Sequence, residues 1–210
     1  MFGKKYILLL SVFMLVSCTS TAEAPQVEVV NVYATPAAQP WLAELYTCAG
    51  NMSVALNVNA QAPDIYLRVG EPGNMVSPVY KIDDEEILVV VKGESPIQNL
   101  TLQEAQDLFA QQGSPSTQVW VYASDADLQM VFDQLVMKGR SVTSFAKLAA
   151  GPGQMSDTLN TEKDAIGILP RHWKAGTVRD VFSAGIVPVL AVTNEDPQAV
   201  VLNLVSCLQR

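Results

Sequence analysis

The segment Ile87-Leu88-Val89-Val90-Val91 is an uninterrupted apolar run, and it decides the fold. Most of its residues are β-branched and none alternates with a polar residue, which is typical of a strand buried on both faces of a mainly parallel sheet. The turn-forming segment Lys92-Gly93-Glu94-Ser95-Pro96 follows directly and ends the run. We therefore expect a completely buried strand over residues 87–91.

A helix is expected directly after this strand. Thr101 and Glu104 have the spacing of a capping box, in which each side chain satisfies a free backbone amide of the other. Apolar residues then recur on one face of the helix, at Leu102, Ala105, Leu108 and Phe109. The buried strand would end one α/β unit, and the capped helix would begin the next. This order indicates that the chain crosses here between two lobes.

Strand-like and helix-like segments alternate along the rest of the chain. The strands are expected over residues 27–33, 53–58, 64–70, 118–123, 165–170 and 186–192. Thr35 with Pro36 is expected to open the first helix and Ser124 to cap a later one. The acidic run Asp83-Asp84-Glu85-Glu86 has no metal-loop spacing and predicts a solvated turn. This alternation indicates an α/β fold with mainly parallel sheets flanked by helices.

The N-terminus has the features of an export signal. Lys4 and Lys5 precede an apolar run that is too short to span a bilayer comfortably. Leu15-Val16-Ser17-Cys18 resembles the bacterial lipobox, in which the cysteine is acylated and becomes the first mature residue. Residues 1–18 are thus expected to be a lipoprotein signal peptide, with a plain signal peptide or an uncleaved anchor as the alternatives. Residues 19–26 are expected to be a flexible tether.

Charge and cysteine content agree with an extracytoplasmic, lipid-anchored protein on the outer face of the cell membrane or facing the periplasm. Without the signal peptide the chain has 11 basic and 21 acidic side chains, which excludes nucleic acid as a partner. Cys48 and Cys207 remain after Cys18 is acylated. An exported protein favours a disulfide between them over two buried thiols.

Residues for catalysis or metal binding are scarce. His172 is the one histidine, it stands beside Trp173 without an evident partner, and no phosphate-loop, dinucleotide or nucleophile motif is present. We therefore expect no enzyme, no metal and no cofactor. Ligand contacts are instead expected where strands end and helices begin, at Thr35, Arg68, Ser124 and Asp125. The alternatives are plain helix capping by Thr35 and Ser124 and a solvated surface position for Arg68.

In their order along the chain, several short motifs resemble those of the phosphate-type substrate-binding lipoproteins of ABC importers. The motifs are Tyr33-Ala34-Thr35-Pro36, residues 64–68, residues 78–91 with 99–102, and Ala165-Ile166-Gly167. The resemblance implies a type II periplasmic-binding-protein fold. Lobe 1 would hold residues 27–91 and 177–210, and lobe 2 residues 92–176. A small molecule would bind between the lobes and pass to an ABC permease.

The sequence departs from that family at the ligand loops. The family's Gly-Ser loop before residue 64 is missing, and its Arg-Ser-Gly-Thr motif is replaced by residues 122–127. Asp125 and Asp127 in that segment would repel a phosphate. The ligand class therefore stays open, although an oxyanion remains one candidate. A shortened binding-protein domain that acts as a sensory or protein-interaction lipoprotein, without transport, is the alternative function.

Overall fold

The structure is a computed structural model that describes residues 27–73, 77–110 and 116–210. The predicted signal peptide, Cys18 and the tether lie outside these residues. The strands are β1 (Val29–Ala34), β2 (Ala55–Val58), β3 (Ile65–Val69), β4 (Val79–Lys92), β5 (Gln118–Val121), β6 (Lys147–Leu148), β7 (Ala165–Pro170) and β8 (Val178–Thr193). The helices are α1 (Gln39–Asn51), α2 (Leu102–Ala110), α3 (Asp127–Phe132), α4 (Pro152–Thr161) and α5 (Ala199–Leu208).

The eight strands of the described residues form one sheet, in the order β2-β1-β3-β8-β4-β7-β5-β6. The outer pairs on both sides of the sheet are parallel. The three central pairs, which join β3 to β8, β8 to β4 and β4 to β7, are antiparallel. The sheet is therefore mixed, and its parallel halves meet on two long antiparallel strands.

The apolar run 87–91 lies in β4, and all five residues have no exposed surface. The prediction of a strand buried on both faces is confirmed, but both neighbours of β4 run antiparallel to it. Complete burial on both faces explains the unbroken apolar pattern, and that pattern does not report strand direction.

Two sequence predictions about the central strands are wrong. The acidic run 83–86 continues β4 and pairs with β8, so it is not a turn. β8 begins at Val178, eight residues before the expected start at Ile186. A register shift between Ser183 and Gly185, where Gly185 has φ +135°, interrupts the strand pattern that sequence reading relies on. β4 and β8 consequently stay paired over almost their whole length at the centre of the sheet.

The helix starts agree with the sequence in one case and differ in two. The amide of Thr101 donates to Glu104 Oε2 over 2.7 Å and the amide of Glu104 to Thr101 Oγ1 over 3.3 Å, which confirms the capping box of α2. α1 begins at Gln39 after an extra turn, with Pro40 in its first turn, and not directly after Thr35. The residue before α3 is Ala126, so Ser124 does not cap it.

Helices flank the sheet and complete the core. α3 continues into a π-helical turn over Asp133–Met137, and α4 packs on β7, where a Cβ on Gly167 would come within 2.4 Å of Met155 Sδ. The disulfide Cys48–Cys207 joins α1 to α5 in the structure, with the two Cα atoms 6.1 Å apart. In the described ranges, none of the helices has the length and apolar character to cross a membrane.

Candidate functional site

The candidate site lies where β1, β3 and β5 end, at the edge of the sheet where open α/β folds place their ligands. β1 and β3 belong to one half of the sheet and β5 to the other. The loops after these strands carry Thr35, Gly70 and the segment Tyr122 to Asp127. The topology therefore brings together three segments that are far apart in sequence.

Thr35 follows the last residue of β1 and is buried, with 6 % of its surface exposed. Its hydroxyl oxygen accepts the amide of Ala38 over 3.3 Å, so it stabilises the turn that leads into α1. The same hydroxyl donates to Asp127 Oδ2 over 2.6 Å. Thr35 thus has a local role in the turn and also contacts the other half of the sheet.

Asp127 is the centre of the site. Its Oδ2 accepts the Thr35 hydroxyl and also the backbone amide of Val69, over 3.0 Å. Its Oδ1 accepts the amide of Leu128 over 2.9 Å. Both carboxylate oxygens are therefore hydrogen-bonded, and two of the three donors come from the opposite half of the sheet. We call Thr35, Val69, Asp127 and Leu128 the carboxylate site.

The carboxylate site holds a buried anion without a paired cation. Asp127 has 5 % of its surface exposed, and in the described part of the chain no ion pair includes it. Burying a carboxylate is costly unless strong donors compensate for the lost water. Here one hydroxyl and two amides do so, which is how proteins bind oxyanions without an ion pair.

Arg68 lies next to the carboxylate site and is buried, with 6 % of its surface exposed. The alternative that it is a solvated surface arginine is therefore wrong. Its Nε donates to the carbonyl of Gly70 over 3.0 Å. One terminal guanidinium nitrogen has no hydrogen-bond partner within the described residues. A buried donor without a partner costs about 1 to 3 kcal/mol, so this group is available to an acceptor.

Two tyrosines respond to the charges of this region. Burial raises the pKa of Tyr66, the positive charge of Arg68 lowers it, and the negative charge of Asp127 raises it. Burial and then the charge of Asp127 raise the pKa of Tyr122 well above its ordinary value. The Tyr122 hydroxyl donates to the carbonyl of Ile168 over 2.6 Å. Both phenols therefore stay protonated at neutral pH, and Tyr122 lies beside the cavity that adjoins Asp127.

The space left beside the carboxylate site is small. A cavity of about 100 Å³ adjoins Asp127 and is lined mainly by alanine, glycine and proline, with Tyr122 at one side. Small-molecule sites usually measure roughly 300 to 1,000 Å³. In this state the cleft has room for water or a very small solute.

Further contacts hold the two halves together around the cleft. A Cβ on Gly70 would lie 2.3 Å from Val131 Cγ2 of α3, so glycine permits this close approach. The indole of Trp173 donates to the carbonyl of Ala37 over 3.1 Å. A Cβ on Gly151 would lie 3.2 Å from Pro36 Cβ, which is also a close contact. The structure is therefore closed at this cleft.

The sequence predicts four ligand contacts, and the structure brings one of them, Thr35, into contact with Asp127. Arg68 is buried in β3, whereas Ser124 and Asp125 are exposed on the loop before α3. Their role in ligand binding stays a prediction. The sequence identifies Asp127 only as a charge that repels phosphate. The helix start at residue 127 decides that this carboxylate, and not that of Asp125, turns inward.

A second polar cluster lies beside the acidic part of β4. His172 Nδ1 is 2.7 Å from Glu85 Oε2, and Glu85 is 1 % exposed. The His172 ring packs edge-on against Trp41, with 4.7 Å between centroids. His172 therefore has two partners that the sequence does not make evident, Glu85 and Trp41, and neither is its chain neighbour Trp173. Buried Glu85 needs a donor, which a residue 87 positions away supplies.

Comparison with known proteins gives the fold. No family model matches the chain, and no curated protein matches it. A solved structure of a putative phosphate ABC transporter substrate-binding protein with bound phosphate from Clostridium perfringens matches with a TM-score of 0.76 and 15 % identity, over 86 % of this chain and 93 % of that one. An ABC-type phosphate transport receptor from Vibrio cholerae matches with a TM-score of 0.66 and 11 % identity, over 86 % and 93 %.

Regulatory domains share this fold as well. The CcmR regulatory domain of Synechocystis PCC6803, in complex with 2-PG, matches with a TM-score of 0.64 and 11 % identity, over 87 % of this chain and 96 % of that domain. At these identities the likeness shows the fold alone. The predicted α/β architecture of the type II periplasmic-binding-protein kind is confirmed, and it is shared by transport and regulatory proteins.

Proposed function

We propose that this chain is a lipid-anchored extracytoplasmic protein of the binding-protein fold that acts as a sensory or protein-interaction module and does not carry phosphate. The single observation that supports this function is the hydrogen bond of 2.6 Å between Thr35 Oγ1 and Asp127 Oδ2. A carboxylate of the protein itself occupies donors that an oxyanion would need. An incoming phosphate would meet a buried negative charge in their place.

The proposal assigns the chain to two lobes, residues 27–91 with 177–210 and residues 92–176. The connection between them would use Val89 to Lys92 at the end of β4 and a return crossing after Leu169, near the end of β7. Thr35 and Val69 would belong to lobe 1 and Asp127 to lobe 2. The carboxylate site would then keep the lobes closed without a ligand.

A solute-binding role for an ABC importer is the second candidate. Arg68 supports it, because its unpartnered buried nitrogen could contact an anion or a polar solute. The likeness in fold to two phosphate transport proteins supports it too. In that case the small molecule would enter after the cleft opens, and an ABC permease would be the partner.

Calorimetric titration of the mature protein with inorganic phosphate tests whether the chain carries phosphate. The sensory or interaction role predicts no heat of binding and no rise in melting temperature at millimolar phosphate. A site that is saturated at a hundred times its Kd would raise the melting temperature of a protein of this size by about 5 to 10 °C. Such a rise with phosphate would refute the proposed function and favour the carrier.

The lipid anchor is tested separately through Cys18. The mature protein is expected to carry acyl chains on this residue and to sediment with membranes. The Cys18→Ser variant is expected to lose both the acyl mass and the membrane association. Because a single charge-neutral substitution leaves the folded part unchanged, a variant that still sediments with membranes would contradict anchoring at Cys18.

A further inference from the structure

The carboxylate site carries an inference about specificity that rests on the proposed function. Three donors converge there on two oxygens: the Thr35 hydroxyl and Val69 amide on Oδ2, and the Leu128 amide on Oδ1. Two of these donors are separated from Asp127 by 92 and 58 residues, so tertiary structure and not a local turn creates the arrangement.

The same donors suit an anion that is not part of the chain. Each is a neutral group fixed by the backbone or by a turn, so its position does not depend on the Asp127 side chain. Val69 is the last residue of β3, with a completely buried side chain. Thr35 is held by the Ala38 amide. Removing the carboxylate would leave buried donors without acceptors, at a cost that a bound anion could remove.

Arg68 is an independent observation that favours an anion at this place. Only 6 % of its surface is exposed, and one of its terminal nitrogens has no hydrogen-bond partner within the described residues. Its chain neighbour Val69 supplies one of the three donors to Asp127, so the buried positive charge and this donor belong to the same end of β3.

We propose that Asp127 is a built-in ligand that fills a carboxylate-binding site of this protein and so excludes external anions from the cleft. The ligand class is a small carboxylate, because a planar pair of oxygens reproduces the contacts of Oδ1 and Oδ2. Exchange of Asp127 for alanine opens the site and enlarges the adjoining cavity of about 100 Å³. The variant then binds free acetate in the place of the lost side chain.

The test measures melting temperatures of the mature protein and its Asp127→Ala variant in sodium acetate, phosphate and chloride at equal ionic strength. We expect Asp127→Ala to melt below the wild type in chloride. Acetate is expected to raise its melting temperature by about 5 to 10 °C at a hundred times Kd. The wild type is expected to show no acetate-specific rise, since its site is already filled.

Matched variants locate the effect. Asp157→Ala removes an exposed carboxylate from α4, so this variant is expected to behave as the wild type does. Asp127→Asn keeps the shape of the side chain and an oxygen acceptor, and it is expected to gain no acetate binding. The double variant Asp127→Ala/Thr35→Val lacks one donor and is expected to bind acetate at least tenfold more weakly than Asp127→Ala.

Each other outcome counts against the inference. A folded Asp127→Ala variant that responds to acetate no more than to chloride would overturn it, and so would a stronger response to phosphate than to acetate. If Asp127→Ala is unfolded in chloride, recovery of its circular dichroism in acetate supports the site, and failure to recover overturns it. Phosphate binding by the wild type would instead refute the proposed function, so the two failures are distinguishable.

Discussion

Thr35 and Asp127 are 92 residues apart in the chain, and the Thr35 hydroxyl donates to the Asp127 carboxylate over 2.6 Å. Both residues are buried, so water does not replace this hydrogen bond when it is lost. The two halves of the sheet are therefore joined through a neutral donor and a charged acceptor. The contributions of the donor and of the acceptor to stability can be measured by replacing one group at a time.

Replacement of Thr35 by valine removes the hydroxyl and keeps the shape of the side chain. We expect a loss of about 1.5 to 3 kcal/mol in the free energy of unfolding, which is typical of a hydrogen bond to a charged group. Urea unfolding followed by circular dichroism measures it. Thr47→Val is the control, because Thr47 is an exposed threonine of α1 whose hydroxyl donates to the carbonyl of Ala43. Equal losses in both variants would show that the contact with Asp127 contributes nothing.

Gly70→Ala is expected to destabilise the protein for two reasons. The new Cβ would lie 2.3 Å from Val131 Cγ2, and Gly70 has φ +75°. Overpacking typically costs about 1 to 3 kcal/mol, and the left-handed backbone adds roughly 1 kcal/mol. Gly139→Ala is the matched control, because Gly139 has φ +89° and open space around it.

The packing part of the Gly70 effect can be separated from the backbone part. Shortening Val131 to alanine in the Gly70→Ala background removes the clash and leaves φ unchanged. We expect the double variant to regain stability relative to Gly70→Ala, measured by the same urea unfolding. Simple addition of the two single losses would contradict a direct clash between Gly70 and Val131.

The disulfide Cys48–Cys207 closes a loop with a sequence separation of 159 between α1 and α5. Chain entropy sets the maximum gain at about 5 kcal/mol for so long a loop. Alkylation and mass spectrometry without reductant are expected to find neither thiol free in the exported protein. Reductant should lower the urea midpoint of the wild type and leave that of Cys48→Ala/Cys207→Ala unchanged. A reductant effect on the double variant would point to another cause.

Alkaline pH is expected to destabilise the protein through Tyr122. Burial holds the pKa of this phenol well above its ordinary value of about 10 in the folded chain. Above pH 10 the unfolded chain releases the proton and the folded chain keeps it, so stability is complete below pH 10 and falls as the pH rises.

Tyr122→Phe separates this titration from the hydrogen bond to Ile168. At pH 7 the variant is expected to be less stable than the wild type, because the Ile168 carbonyl loses its donor. The difference should shrink as the pH rises from 9 to 11, since only the wild type loses stability through this group. Urea unfolding at each pH measures it, and a constant difference would show that Tyr122 does not control the alkaline loss.

The sequence alone was sufficient for the elements whose signals are local. The apolar run 87–91 predicts burial on both faces of a strand, because successive side chains point to opposite faces and none of the five is polar. Thr101 with Glu104 predicts a helix start, because both partners lie within one turn. Order and spacing of such elements were sufficient for the fold class. Strand direction was not, because burial leaves the same pattern in parallel and antiparallel strands.

Only the tertiary structure decided how the cleft is filled. The loop 122–127 offers two aspartates, and the start of α3 determines which of them is buried. Two partners of Asp127 are a hydroxyl and a backbone amide from distant segments. Every residue except proline has a backbone amide, so the sequence does not show which amide donates to Asp127. The pairing of Glu85 with His172 has the same cause. Contacts between strand ends depend on sheet order, and a single sequence does not encode that order in any local pattern.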